Sequence, residues 1–421
     1  LVKAALPLLI FGVSAAFSEQ AHAQTYTIPP AINAFCTSTY FGVSNDVVEW
    51  VTYEDFAGNL NVVMYAPWFS SSWDWRYQIP AGNFAPGSQL VGYMDKSSTA
   101  HLFFLHQNGS VFDVEEVYGL YIGEGAYGYQ TNDLTTDTGS SYRPDGYEEN
   151  YSTKTGNISG VSQTYEYSTG LTGFWDGSIE HVFYGSENGG NLAELYNNGS
   201  WWVHSIATNP FTAGTEQHIA SLWDGSISHV YYHTGSAGDL GETYYSGTWY
   251  SHDLSRGATA PAAASPLFAT GGDQDGDPLQ YVWGATSTAG DLSLWYNSGS
   301  WNEFTYTGKT GLTTSSTVTG YSAPLNETIF SEYFWVEPSN GHIWYGGYGE
   351  QDITGGSAPA LPSYSGGSLS PLSGCFDGTN LHVFYIGNDS NVWEIYTVLG
   401  QYGQPGTWYG HAITSAANAV Q

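Results

Sequence analysis

An aromatic ring beside a carboxylate and a second polar group makes a workable sugar site. The ring covers apolar C–H faces, and the carboxylate accepts from hydroxyls. Three stretches of this chain offer that set in the same order: His181, Glu194 and Trp201; His229, Glu242 and Trp249; His382, Glu394 and Trp408. Each Trp can instead serve as packing between repeated units. A residue present in every good copy is more often architectural than catalytic. His204, His252 and His411 also recur, three residues after the repeat Trp. Metal ligation by these histidines meets the same objection. A hard cation has a separate candidate site. Asp273, Asp275 and Asp277 stand at alternate positions and can offer oxygen ligands to calcium. That segment lacks the later bidentate Glu of an EF-hand, and Asp275-Gly276 doubles as a hairpin signal. No cofactor is required by any other motif.

Catalysis finds little support. There is no Gly-x-Ser-x-Gly elbow, no His-Glu-x-x-His helix and no phosphate-binding Gly loop. A glycosidase needs two carboxylates flanking the scissile bond, and carboxylates are too numerous here to nominate a pair. A sialidase-like propeller would need several positioned arginines, and the chain has three. The expectation is a protein that is not an enzyme, with no catalytic residues.

The elements that carry these residues form a repeat. One unit runs through Trp175-Asp176-Gly177, His181-Val182-Phe183-Tyr184, Asn191 to Tyr196 and Gly199-Ser200-Trp201. It returns at Trp223-Asp224-Gly225 with His229, at Phe376-Asp377-Gly378 with His382, and more weakly at Asp275-Gly276 with Gln280 in the His place. Asp-Gly precedes that place by five residues in all four copies. Three degenerate copies lie around Glu49, His101 and Tyr333. The seven anchors are spaced by 52, 80, 48, 51, 53 and 49 residues. The long gap implies an insertion of roughly 30 residues, placed at about 117–160 and read as a covering arm or an excursion. Each unit reads as four strands: one ending at Asp-Gly, the His-Val-Phe-Tyr run, the Leu-x-Glu-Leu-Tyr run and a strand starting at Trp. Apolar residues on both strand faces suit blades sandwiched between neighbours. The expected fold is all-β: a seven-bladed propeller of four-stranded antiparallel blades, forming one domain over 24–421.

Composition agrees. Aromatics are 16% of the 421 residues and Gly contributes 53, which suits pleated strands joined by tight turns. With 39 acids against 7 scattered bases, the net charge is −32. Nucleic acid and anionic membrane surfaces are therefore poor partners. Lys3, the apolar run to Phe17 and Ala21-His22-Ala23 read as a secretory signal over 1–23. No later segment is expected to span a membrane. Export permits a disulfide. A propeller brings its first and last blades together, so Cys36 and Cys375, 339 positions apart, are expected to bridge the ends.

The His-Val-Phe-Tyr, Asn-Leu-x-Glu-Leu-Tyr and Gly-Ser-Trp segments resemble those of the fucose-specific lectin and its bacterial lectin-like propeller relatives. The likeness covers most of Thr27 to Thr414 and is strongest over 171–301 and 370–414. It implies sugar pockets between adjacent blades, where an Arg and a Glu hydrogen-bond the sugar and an aromatic packs on it. Here His181, His229 and His382 stand in the Arg position, Glu194, Glu242 and Glu394 match the Glu, and Leu294 has lost it. His does not offer the guanidinium's fixed fork of donors. The expected function is a secreted carbohydrate-binding protein whose partners are glycans. The alternative is an extracellular structural or filament-forming protein that associates with itself.

Overall fold

The structure is a computed structural model. It describes residues between Ala31 and Ala416, with the longest interruptions at 148–166, 256–265 and 355–371. Seven four-stranded antiparallel sheets are present, each built from consecutive strands. Blade one comprises Ile32–Tyr40, Val43–Glu54, Leu60–Tyr65 and Asp74–Ile79; blade two comprises Val91–Met94, Ala100–Asn108, Val111–Tyr121 and Tyr127–Asp133. Blade three comprises Leu171–Trp175, Glu180–Ser186, Asn191–Asn197 and Trp201–Ala207; blade four comprises Ile219–Trp223, Ser228–Thr234, Asp239–Tyr245 and Trp249–Asp253. Blades five, six and seven start at Phe268, Val318 and Ser373, and blade seven ends with Tyr409–Ala412. The first strand of each blade lies against that of the next, and Ile32–Tyr40 lies against Ser373–Phe376, so the ring closes.

The core is distributed over the seams between blades rather than gathered at one centre. Phe183, Val230 and Tyr232 fill the seam of blades three and four, and Tyr231, Val282 and Trp295 fill the next. Strand alternation sends successive side chains to opposite neighbours, which explains why both faces of the second strand are apolar. In the Asp-Gly turns, Gly177, Gly225 and Gly378 hold φ of 94°, 96° and 97°, a region that favours glycine.

Neither end blade borrows a strand from the other. Closure rests on side chains and on the expected disulfide, which is present: Cys36 and Cys375 are bonded, with Cα atoms 5.7 Å apart. Beside it, the Ser373 hydroxyl accepts from the Ala34 amide at 2.7 Å.

The insertion starts later than the anchor spacing suggested. Val117 to Tyr121 and Tyr127 to Asp133 belong to blade two itself, in its third and fourth strands. The added material begins at the helical turn Leu134–Asp137, capped by Asp133. It then pairs Gly146–Tyr147 with Tyr167–Ser168. Arg143 pairs with Asp113 of blade two, and the Tyr184 hydroxyl of blade three donates to the Tyr142 carbonyl at 2.6 Å, so this stretch is stitched to both blades. The expected signal segment lies outside the described residues. Among the described residues, no helix is long and apolar enough to cross a membrane.

Candidate functional site

The repeated histidine is one link in a chain of hydrogen bonds and close charge contacts. In blade three, Asp176 Oδ1 accepts from the turn amides of Ser178 and Ile179 at 2.7 and 2.6 Å. Its Oδ2 lies 3.3 Å from His181 Nε2. His181 Nδ1 lies 2.6 Å from Glu194 Oε1, and Glu194 Oε2 lies 2.7 Å from His204 Nε2. Register produces this arrangement, because Glu194 pairs with Phe183 and His204, and His181 shares Phe183's face. Blade four repeats it through Asp224, His229, Glu242 and His252, with distances of 3.1, 2.7 and 2.7 Å. Blade seven sets Asp377, His382, Glu394 and His411 in the same order, at 3.3, 2.6 and 3.1 Å, but only the His382–Glu394 contact is a hydrogen bond, since His382 Nε2 has no hydrogen-bond partner and His411 Nε2 accepts from Trp73. A fourth copy, at the degenerate unit around His101, holds His101 against Glu116 at 2.8 Å, with Asn132 in place of the outer histidine. Its Asp95 precedes His101 by six residues and is followed by Lys96 instead of Gly, which hides the signal.

These inner histidines are clips. Burial works against their charge, but the carboxylates on both sides outweigh it. His181 and His229 are raised above the usual imidazole range, His101 to about 9 and His382 to about 10. For Glu194 and Glu242, burial pushes upward, yet the histidine bonds hold both below the ordinary carboxylate range. An imidazolium has two donors. In His181 and His229 one faces the Glu and the other the turn Asp, so the donors that an Arg would turn toward a ligand are spent inside the blade.

The network carries a pH signature, clearest in blade four. The raised His229 stabilises fully below about pH 6.5 and loses that contribution as pH rises through its folded value. Glu242 and Asp224, both depressed, stabilise above about pH 4 and lose their contribution as pH falls through their folded values. Urea midpoints of His229→Gln and wild type across pH should therefore differ most near pH 5–6 and converge as pH rises. A deficit independent of pH would contradict a charged clip.

The structure redistributes the tryptophans. Trp201 stands edge-on to Phe103 of blade two at 5.8 Å, and Trp249 to Phe183 of blade three at 6.0 Å. Each repeat Trp thus packs on the preceding blade, and the sets read along the sequence are split across seams. Trp249 joins His181 and Glu194. Trp301 meets Tyr231 at 5.8 Å and joins His229 and Glu242. Trp73, across the closure, meets Phe384 at 6.0 Å and donates to His411 Nε2 at 3.0 Å. Trp408 faces Phe334 and Tyr345 of blade six, where Tyr345 pairs with Phe334 as Glu194 pairs with Phe183, so Tyr345 takes the Glu place.

What remains accessible is the outer strand. The side chains of His204, His252 and His411 are 42%, 41% and 42% exposed. Their rings lie against Tyr196, Tyr244 and Tyr396, and cross-strand from those tyrosines stand the exposed Trp202, Tyr250 and Tyr409. At three seams, then, a half-exposed imidazole rests on a buried carboxylate between aromatic rings.

The other seams differ. Tyr281 of blade five faces Tyr296 as His181 faces Tyr196, so Tyr281 occupies the histidine place. Gln280, one residue earlier, points the opposite way and places its amide 2.9 Å from His229 of blade four. At the seam of blades five and six, Trp283 stacks on Tyr333 at 4.5 Å, and the Lys309 ammonium lies over Tyr306, Tyr333 and Trp335 at 5.3, 5.8 and 5.9 Å. That seam is filled from within. Of the calcium candidates, Asp275 and the side chains of Asp273 and Asp277 lie outside the described residues.

No protein-family model matches the chain, and no curated protein matches it in sequence. Solved structures match its fold. A triple arginine-to-alanine mutant of AofleA from Arthrobotrys oligospora aligns with a TM-score of 0.53 at 14% identity, over 79% of this chain and 89% of that one. Unmutated AofleA aligns with a TM-score of 0.51 at the same identity and over the same shares. The fungal lectin of Aleuria aurantia, described as a six-bladed β-propeller with a novel fucose recognition mode, aligns with a TM-score of 0.47 at 13% identity, over 92% of this chain and 96% of its own.

Proposed function

We propose that this protein is a secreted, lectin-like propeller that binds carbohydrate and performs no catalysis. One observation carries the reading: the half-exposed imidazole on a buried Glu, flanked by aromatic rings, repeated at three seams. An imidazole and a carboxylate can exchange hydrogen bonds with sugar hydroxyls, while Tyr and Trp faces cover C–H surfaces. Repetition suits a multivalent binder, in which weak sites add by avidity. It suits an enzyme poorly, because one asymmetric centre suffices for turnover. In this reading Glu194, Glu242 and Glu394 hold the outer histidines in place. His181, His229 and His382 brace the glutamates from behind, and Trp249, Trp301 and Trp73 form the opposite wall. Fucose is not favoured over other sugars, since His181, His229 and His382 stand where the fucose-binding pattern has a guanidinium. The disulfide and the reading of 1–23 as a signal support a place outside the cell.

Glycan-array retention, reversed by free sugar, is the expected result. The second reading, a self-associating structural subunit, draws on the exposed Trp202, Phe304 and Tyr409 along the outer strands. It predicts concentration-dependent assembly without sugar and no retention on the array. Sugar-reversible retention by a monomer decides for the lectin; assembly without retention decides against it.

A further inference from the structure

Two seams carry a carboxylate that the clip does not need. At the closure, Glu49 reaches back from blade one to His382 of blade seven, its Oε2 3.5 Å from Nδ1. At the seam of blades two and three, Glu180 reaches back to His101, again with Oε2 3.5 Å from Nδ1. Glu49 is 4% exposed and Glu180 is 7% exposed, and in both the inward oxygen has no hydrogen-bond partner. Three carboxylates therefore surround one imidazole at each seam: Asp377, Glu394 and Glu49 around His382, and Asp95, Glu116 and Glu180 around His101. The imidazolium faces each of these oxygens only at 3.5 Å and without a hydrogen bond, and a buried carboxylate oxygen left so is destabilising.

We propose that these two seams each bind a divalent transition cation, with His101, Glu116 and Glu180 as ligands at one and His382, Glu394 and Glu49 at the other. Two ligand atoms about 2.1 Å from a tetrahedral ion stand about 3.4 Å apart, close to both Nδ1–Oε2 separations. Glu116 and Glu394 stand nearer, at 2.8 and 2.6 Å from Nδ1, and draw back to admit the ion. The ring's far nitrogen lies 3.3 Å from Asp377 at one seam and 3.8 Å from Asp95 at the other, without a hydrogen bond at either; closing that gap would give the carboxylate–histidine–metal arrangement that fixes a ligand ring. Ligand atoms of His101, Glu116 and Glu180 fall within a 4.8 Å span, and at the closure Glu49 and Glu394 both approach His382 Nδ1, at 3.5 and 2.6 Å. One imidazole with two carboxylates suits Zn²⁺. The ion takes the place of the Nδ1 proton, which leaves to solvent. The seam of blades four and five lacks the extra acid: there Gln280 meets His229 with a neutral amide.

Zn²⁺ titration of the whole chain by calorimetry, with X-ray absorption on the loaded protein, tests this. The native Gln280 shows that an amide fits beside the clip, so Glu49→Gln and Glu180→Gln should keep the wild-type circular dichroism. Two tight Zn²⁺ equivalents are expected in wild type, one in each single variant and none in the double variant. The absorption edge should show one imidazole among oxygen donors. No tight binding by wild type would overturn the proposal and leave a proton as the compensating charge. Full binding by the double variant would also overturn it, assigning the ions to surface carboxylates or to the exposed histidines.

Discussion

Replacing Cys36 and Cys375 by serine is expected to lower stability by about 5 kcal/mol, as the entropy of a loop of this length implies. Many closed structures share a strand between their ends, but here blade one is wholly N-terminal and blade seven wholly C-terminal. The seam has apolar packing, the Ser373–Ala34 contact, the Trp73–His411 bond and the disulfide. Without the covalent link, that seam opens at no greater penalty than any other, yet its opening frees both ends of the chain. Unfolding in urea, and protease cleavage near the first and last blades, should both shift strongly in the double serine variant and on reduction of the wild type. A change below about 1 kcal/mol would show that side-chain packing closes the ring unaided.

The second large effect concerns the clips. Glu242→Leu leaves His229 buried with Asp224 as its remaining carboxylate, and removing one partner of a buried pair costs about 3–5 kcal/mol. Replacing His229 by leucine as well should recover much of that loss, because both desolvated charges are then gone. Asp224 stays bonded to the Ser226 and Ile227 amides and to the Gln280 side chain, so it is not stranded in the double variant. Urea midpoints of the two single variants and the double variant measure the coupling. Simple additivity would mean that His229 and Glu242 act independently, contrary to the 2.7 Å contact between them.

The repeat was legible because blade formation places the same demands on every unit: Asp-Gly turns, two-faced apolar strands and a Trp at the outer strand. The clip was half legible. The constant five-residue spacing from Asp to His was visible, but its cause was not. The Asp reads as a turn former, and only the fold shows its second oxygen orienting the histidine. Gln280 marks another limit. A one-residue offset in a strand sends a side chain to the opposite face. Spacing from Asp275 therefore assigned Gln280 to the histidine place, whereas register gives that place to Tyr281. The tryptophans were grouped with their own units because chain order says nothing about which neighbour a strand face meets. The extended third strand of blade two likewise absorbed residues that spacing had assigned to an insertion.

The central claim is that sugar is held where the outer histidines meet the glutamates. Calorimetric titration with a sugar that elutes the protein from a glycan array tests it most directly, comparing wild type with His204→Ala/His252→Ala/His411→Ala. The three rings are half-exposed, so their removal should leave the fold intact by circular dichroism. The account predicts that wild type binds several equivalents and that the triple variant loses at least about tenfold in affinity, the equivalent of one lost hydrogen-bonding group at each site. Undiminished binding by a folded triple variant would place the sugar elsewhere and contradict the account.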